Sequence, residues 1–224
     1  MPKSGTTLVM EYQNDLIRCL SSRNGLEAAQ TLGYLPKIEC KTARALRKLS
    51  IQNGDFLVKT HSKPSFWIRE LVAKDEAKVT FCFRDPRDTM LSVIDHGKRT
   101  REGLDSSGAF AEIITLRDAI SFAKASIRLY YAWRKYGQAL FIQYEKLMSN
   151  KMQYLEKMAT YFGYPYEEQT LDDIFQKHER LKERAWNFNK GTVNRWQTEM
   201  TPEERALCNK LFNKDLVAMG YKIL

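Results

Sequence analysis

Between Thr6 and about Ser22, apolar residues recur at Leu8, Tyr12, Leu16 and Leu20, with Val9 and Ile17 beside them. A four-residue spacing is the stripe of an amphipathic helix, so MPKSGTT reads as a loop that feeds a helix. A different pattern follows. FLVKT at 56–60, VTFCF at 79–83 and ALFIQY at 139–144 are short apolar runs without alternation, as expected of strands buried on both faces. Helical periodicity returns over roughly Asp88–Asp95, Ala111–Tyr136 and Asn150–Phe162, the last stopped by Gly163. Thr201-Pro202-Glu203-Glu204 combines an N-cap, a first-turn proline and a capping-box glutamate, and predicts a final helix. Helices alternating with buried strands predict an α/β fold of three layers, with a central parallel sheet covered on both faces. The stretch DHGKRTREGLDSSG, 95–108, reads as a mobile surface loop.

The length of 224 residues fits one domain over 1–224. Lys and Arg number 36 against 27 Asp and Glu, and the resulting +9 points to an anionic partner. Charge alone leaves nucleic acid, a membrane surface and a phosphorylated small ligand open. Cys19, Cys40, Cys82 and Cys208 stand far apart with no C-x-x-C pair, which argues against a zinc site and a disulfide framework. A reducing, cytoplasmic location is the simplest inference. No 18-residue apolar run and no basic-then-apolar leader is present, so neither a membrane span nor a secretory signal is expected.

The opening loop carries the sharpest chemical signal. A glycine turn leading into a helix presents backbone N–H groups and the positive helix end, and Ser4, Thr6 and Thr7 add hydroxyl donors. With Lys3 and Gly5 the stretch is suited to a phosphate. It is not the nucleotide-triphosphate loop, because its lysine precedes the glycine instead of following a second one; this speaks against a kinase. VTFCFRDPRDTMLSV then sets Arg84 directly after a buried strand and Ser92 in the following helix, so both can point at one anion where open α/β sheets bind ligands. Arg87 and Asp88 read as a solvated, helix-capping charge cluster, and His96 and His178 as surface residues. Tyr130, Tyr131, Trp133 and Tyr136 fall on the apolar face of the long helix, where core packing explains them without a nucleic-acid partner.

With these segments in hand, the chain resembles the sulfotransferases that use 3′-phosphoadenosine 5′-phosphosulfate (PAPS). Pro2-Lys3-Ser4-Gly5-Thr6-Thr7 resembles that family's 5′-phosphosulfate loop, and Arg84 through Ser92 its 3′-phosphate motif. Lys59-Thr60-His61 is similar to the segment that supplies the catalytic base in the cytosolic branch. Tyr144-Glu145 resembles the pair whose tyrosine approaches the adenine, and Lys190-Gly191-Thr192-Val193-Asn194-Arg195-Trp196 the late segment that closes over the 3′-phosphate. Three positions depart from the pattern. Leu8 replaces a tryptophan, Asn189 replaces an arginine for which Lys190 or Arg195 could compensate, and Gln197, Thr201-Pro202 and Ala206 do not reproduce the usual dimer motif. A homodimer by that route is therefore unsupported.

The resemblance implies sulfuryl transfer to a hydroxyl of a small organic acceptor, with a carbohydrate acceptor or PAPS binding without transfer as alternatives. It implies His61 as general base, Lys3 at the leaving oxygen, Lys59 at the sulfuryl oxygens, and nucleotide contacts from Lys3, Ser4, Gly5, Thr6, Thr7, Arg84, Ser92, Tyr144, Lys190 and Gly191. Ser92 would also tether Lys3. No metal is expected. Acceptor-lining segments are expected at 62–70, with Phe66 and Trp67, and at 95–110, with Lys98, Arg99 and Arg101. One further expectation concerns the sheet. A phosphate loop of this kind hangs from a buried strand, and Met1 stands where that strand should end. Two rows of unpaired backbone groups, each group costing ~1–3 kcal/mol if buried, would be costly, so the start is expected to be assigned late or the chain truncated, unless another strand fills the gap.

Overall fold

The structure is a computed structural model that describes residues 3–20, 44, 46–48, 50, 55–105, 108–181 and 191–223. The chain forms two compact units. One comprises Gly5–Cys82 and Ala132–Phe188, the other Met1–Ser4, Phe83–Tyr131 and Asn189–Leu224.

In the first unit, helix α1 (Thr6–Leu20) turns Val9, Tyr12, Leu16 and Ile17 inward, as its periodicity predicts. The strands β1 (Thr80–Phe83) and β2 (Leu140–Gln143) form a two-stranded parallel sheet. Alternation along a strand sends neighbouring residues to opposite faces. On one face Cys82 and Ile142 join Val9, Tyr12 and Leu16 of α1, together with α5 (Tyr144–Ser149), α6 (Lys151–Phe162) and α7 (Glu168–Leu181), in one core. On the other, Phe81 meets Phe141 at 5.3 Å and Trp133 at 6.1 Å. Helix, sheet and helix are thus the expected three layers. Gly163 ends α6 at φ 77, donating its N–H to the last carbonyls as glycine readily does there. Lys177 and His178 of α7 both reach Asp15 of α1 at 2.8 Å, with the His178 side chain 8% exposed, so this histidine is an inter-helix tie and not a surface residue.

In the second unit, α3 (Pro86–Arg101) buries Met90 and Val93, α4 (Leu116–Tyr136) buries Leu116, Ala119, Ala123, Ile127 and Tyr130, and α9 (Pro202–Ala218) buries Cys208, Phe212 and Leu216. Thr201 and Glu204 close the predicted capping box at the head of α9, with bonds of 3.2 and 2.9 Å. A short helix, α8 (Trp196–Glu199), precedes it.

Several expectations are corrected. FLVKT at 56–60 is not a strand. Phe56 and Val58 pack against Leu46 and Leu71, but a strand needs a neighbour to share its ladder, and no described segment supplies one. Within 62–70, Phe66 starts α2 (Phe66–Ala73), which Ser65 caps by accepting from the Ile68 N–H. The surface loop at 95–108 is helical as far as Arg101. Gly97 is no breaker there, because a Cβ would stand 2.1 Å from the Phe110 carbonyl oxygen; glycine lets helix and loop meet at backbone distance. The long helix starts at Leu116, five residues later than expected, with the Asp118 carboxylate accepting from the Ile114 and Thr115 N–H groups. Tyr131 of that helix is 40% exposed and reaches Asp215, whereas Tyr130 beside it is buried.

Candidate functional site

The predicted site residues fall into two groups, one in each unit. In the first unit, Gly5 adopts φ 76 and closes the first turn of α1 by accepting from the Val9 N–H at 3.0 Å. The N–H groups of Thr6, Thr7 and Leu8 therefore have no acceptor within the helix and add to its positive end. Gly5 is required for two reasons: its backbone is left-handed, and a Cβ would sit 2.6 Å from Cδ2 of Tyr144. The Tyr144 ring and the loop that opens α1 are thus in direct contact.

Lys59 joins the same group by donating to Thr7 Oγ1 at 3.3 Å. Its pKa is lowered, chiefly by burial, against the opposing charge of Glu11. Two residues on, His61 is pushed down to about 4, by burial first and also by the Lys59 charge. The imidazole is neutral at physiological pH and can accept a proton. The turn that carries it is braced twice. Thr60 Oγ1 donates to Ser62 Oγ at 2.9 Å and accepts from the Ser62 N–H at 3.1 Å, while Trp133 Nε1 donates to the Ser62 carbonyl at 2.9 Å. Periodicity assigned Trp133 to core packing alone, and nothing local in the sequence announces the indole bond by which it also holds the turn after His61.

In the second unit, Arg84 leaves β1 buried and donates to Asp88 Oδ2 at 3.1 Å and to the Thr192 carbonyl at 2.7 Å. Asp88 Oδ1 also accepts from the Trp196 N–H at 2.9 Å, so the start of α3 and the segment 192–196 are stitched together. Burial raises the Asp88 pKa and Arg84 opposes that rise. Arg87 is the second correction to the surface reading. It is 1% exposed, forks onto Asp85 at 2.8 and 3.0 Å, reaches the Lys222 carbonyl at 2.9 Å, and lies 3.5 Å over the Trp196 ring. Asp85 meanwhile caps α3 by accepting from the Arg87 N–H. These charges are buried and paired, and they frame the motif instead of solvating it.

Ser92 lies buried on α3, and Ser4 is buried also. Gly191 has φ 62 and Asn194 φ 59, a backbone bend of the kind that exposes N–H groups. Lys190 and Asn189 lie outside the described residues. Arg195 does not stand in for the arginine absent at position 189. Its guanidinium is committed to Asp95 and Glu199 at 2.6 Å each, and those bonds raise its pKa. Lys3, at φ 59, donates to Nδ1 of His96 at 2.5 Å, and that histidine is buried. The surface reading of His96 is therefore overturned as well.

Each group by itself is cationic and rich in N–H and O–H donors: Lys59, Thr6 and Thr7 beside the amides that open α1 in the first unit, and Lys3, Ser4, Arg84 and Ser92 in the second. Donors of this kind suit anionic oxygens such as those of a phosphate.

A family model described as the sulfotransferase domain matches residues 1–220. Cytosolic sulfotransferase 17 of Arabidopsis thaliana is 24% identical over 207 residues, covering 75% of this chain and 57% of that protein, so the chain spans little more than half of that relative. Among solved structures, mouse sulfotransferase SULT7A1 complexed with PAP gives a TM-score of 0.67 at 18% identity, over 96% of this chain and 81% of that one. Retinol dehydratase in complex with retinol and PAP gives 0.64 at 17% identity, over 96% and 79%. The same enzyme with androsterone and inactive cofactor PAP gives 0.61 at 18%, over 96% and 78%. These likenesses establish the fold.

Proposed function

Because the chain belongs to the sulfotransferase domain family, we propose that it transfers a sulfuryl group from PAPS to a hydroxyl of a small organic acceptor. The observation that carries this reading is the 3.3 Å bond from Lys59 to Thr7, which joins two motifs 52 residues apart and brings the segment bearing His61 to the phosphate loop.

PAPS supplies the sulfuryl group, carried on a phosphate that leaves as an anion. The chain's task is then positioning and charge, as in phosphoryl transfer. The loop amides of Thr6, Thr7 and Leu8, with the hydroxyls of Ser4, Thr6 and Thr7, bind the 5′ end. Lys3 sets its ammonium at the leaving oxygen, and Lys59 sets its own at the sulfuryl oxygens. Arg84, Ser92, Lys190 and Gly191 bind the 3′-phosphate, and the Tyr144 ring meets the adenine. His61 accepts the acceptor's proton on its imidazole. A base depressed to about 4 is weak. Anionic phosphosulfate beside Lys59 and His61 would raise it toward the working pH, so the base strengthens only when donor is in place.

For the acceptor, α2 follows His61 by five residues and shows Phe66 70% exposed, its ring 5.0 Å from Trp67. Two exposed aromatic rings favour an apolar hydroxylated molecule, a class that includes the retinol and androsterone of the retinol dehydratase complexes. The test is incubation with labelled donor and a panel of alcohols, phenols and glycans. Equimolar sulfate ester and adenosine 3′,5′-bisphosphate are expected, with apolar phenols and alcohols leading. Tight nucleotide binding with no acceptor-dependent release would leave a binding protein in place of an enzyme.

A further inference from the structure

One turn beyond Ser92 on α3, His96 is 4% exposed and both its ring nitrogens are engaged. The Lys3 ammonium donates to Nδ1 at 2.5 Å, and Arg99 Nη2 stands 3.3 Å from the same atom. On the other side, Nε2 lies 3.3 Å from Oδ2 of Asp105, whose side chain is 2% exposed. Cations at Nδ1 and a carboxylate at Nε2 admit one arrangement: a neutral ring with its proton on Nε2, facing Asp105, and its lone pair facing Lys3. Burial lowers the His96 pKa, and Lys3 and Arg99 reinforce the direction while Asp105 opposes it. The ring is further held edge-on against Phe110 at 5.4 Å, and the Lys3 ammonium lies 5.7 Å from the centre of that same Phe110 ring. The 2.1 Å separation between a Cβ at Gly97 and the Phe110 carbonyl fixes this loop against α3 at backbone distance.

We propose that His96, oriented by Asp105, is the positioning residue for Lys3, holding the lysine ammonium at the place where it meets the leaving phosphate oxygen. A lysine carries three N–H donors, so one bond to His96 does not use up its capacity to donate. Without that bond a four-carbon stem samples many rotamers, and only a minority present the charge to the reacting oxygen. This inference rests on the reading of Lys3 as a group of the sulfuryl-transfer site. Asp105 serves by fixing the tautomer, in the way a second carboxylate orients a histidine elsewhere in catalysis.

The test combines kinetics with ring spectroscopy. His96→Ala should lower kcat by about 10- to 100-fold, the scale of a misplaced catalytic group, with the acceptor KM unchanged. His96→Asn, which keeps an acceptor near the place of Nδ1, should recover much of the loss. In a Lys3→Met background, adding His96→Ala should cost nothing further, because His96 acts through Lys3. An equal loss in both backgrounds would overturn the proposal and make the role structural. Nitrogen-15 spectra of the folded protein should show His96 protonated at Nε2, with its pKa rising in Lys3→Met; a titration indifferent to Lys3→Met overturns the contact even if His96→Ala fails to fold. Full turnover in Lys3→Met with the coupling intact would strike the catalytic reading of Lys3, and the proposed positioning role with it.

Discussion

Replacing Gly5 by alanine tests the phosphate loop at its tightest point. Two costs add. A left-handed backbone at φ 76 costs a residue with a Cβ about 1–2 kcal/mol. The new methyl would also stand 2.6 Å from Tyr144 Cδ2, which no real Cβ tolerates, so the ring must leave its rotamer at about 0.5–1.5 kcal/mol. The total is about 1.5–3.5 kcal/mol, or a fall in Tm of roughly 3–14 °C at 2–4 °C per kcal/mol for a chain of this size. The methyl also displaces the tyrosine that is proposed to meet the adenine, so affinity for adenosine 3′,5′-bisphosphate should fall with stability. Urea unfolding of Gly5→Ala, Tyr144→Ala and the double variant separates the two parts. The cycle should return a coupling of about 0.5–1.5 kcal/mol, since removing the ring removes the clash and leaves the backbone cost. Additive losses, or a Gly5→Ala protein as stable as its parent, would refute the proposed contact between loop and ring.

Three further outcomes are expected. His61→Ala should reduce turnover about 100-fold or more while nucleotide binding persists, as loss of a general base requires. Trp133→Phe removes the 2.9 Å indole bond to Ser62 and should cost about 1 kcal/mol of stability and several-fold in kcat, with nucleotide affinity unchanged; an unchanged kcat would show that the brace does not reach His61. Stability should also fall with acid, because His61 titrates near 4 when folded and near 6.5 when unfolded. Above 6.5 both states are neutral, and below it the unfolded chain takes up the proton first, so the urea midpoint drops from pH 6.5 towards 4. His61→Gln should flatten that slope.

What the sequence revealed follows from how local each signal is. The stripe of α1, the glycine that stops α6 and the capping box of α9 are written within a few residues of one another, and each stands where it was expected. The strand expected at 56–60 fails because a strand is a relation to a neighbour, and apolar residues alone do not supply one. Arg87 was misread for a similar reason: it finds its ring in Trp196 and its carbonyl in Lys222, more than a hundred positions away. The stretch 95–108 reads as a surface loop, yet it is helical as far as Arg101, and Gly97 within it serves packing. Of the expected site residues, Gly5, Thr7, Lys59, His61 and Tyr144 lie in one unit, with Lys59 on Thr7 and Gly5 against Tyr144, while Arg84, Ser92 and Gly191 lie in the other.

The central claim is that this chain holds one nucleotide by both phosphate ends, and calorimetric titration tests it most directly. Adenosine 3′,5′-bisphosphate and adenosine 5′-monophosphate are titrated in turn into the parent protein and Arg84→Ala. The parent should bind the bisphosphate at least about tenfold more tightly than the monophosphate, as a charge-assisted contact of about 1.5–3 kcal/mol requires. Arg84→Ala should lose most of that preference and keep its affinity for the monophosphate. Equal affinity of the parent for both nucleotides, or a preference untouched by Arg84→Ala, would contradict the account.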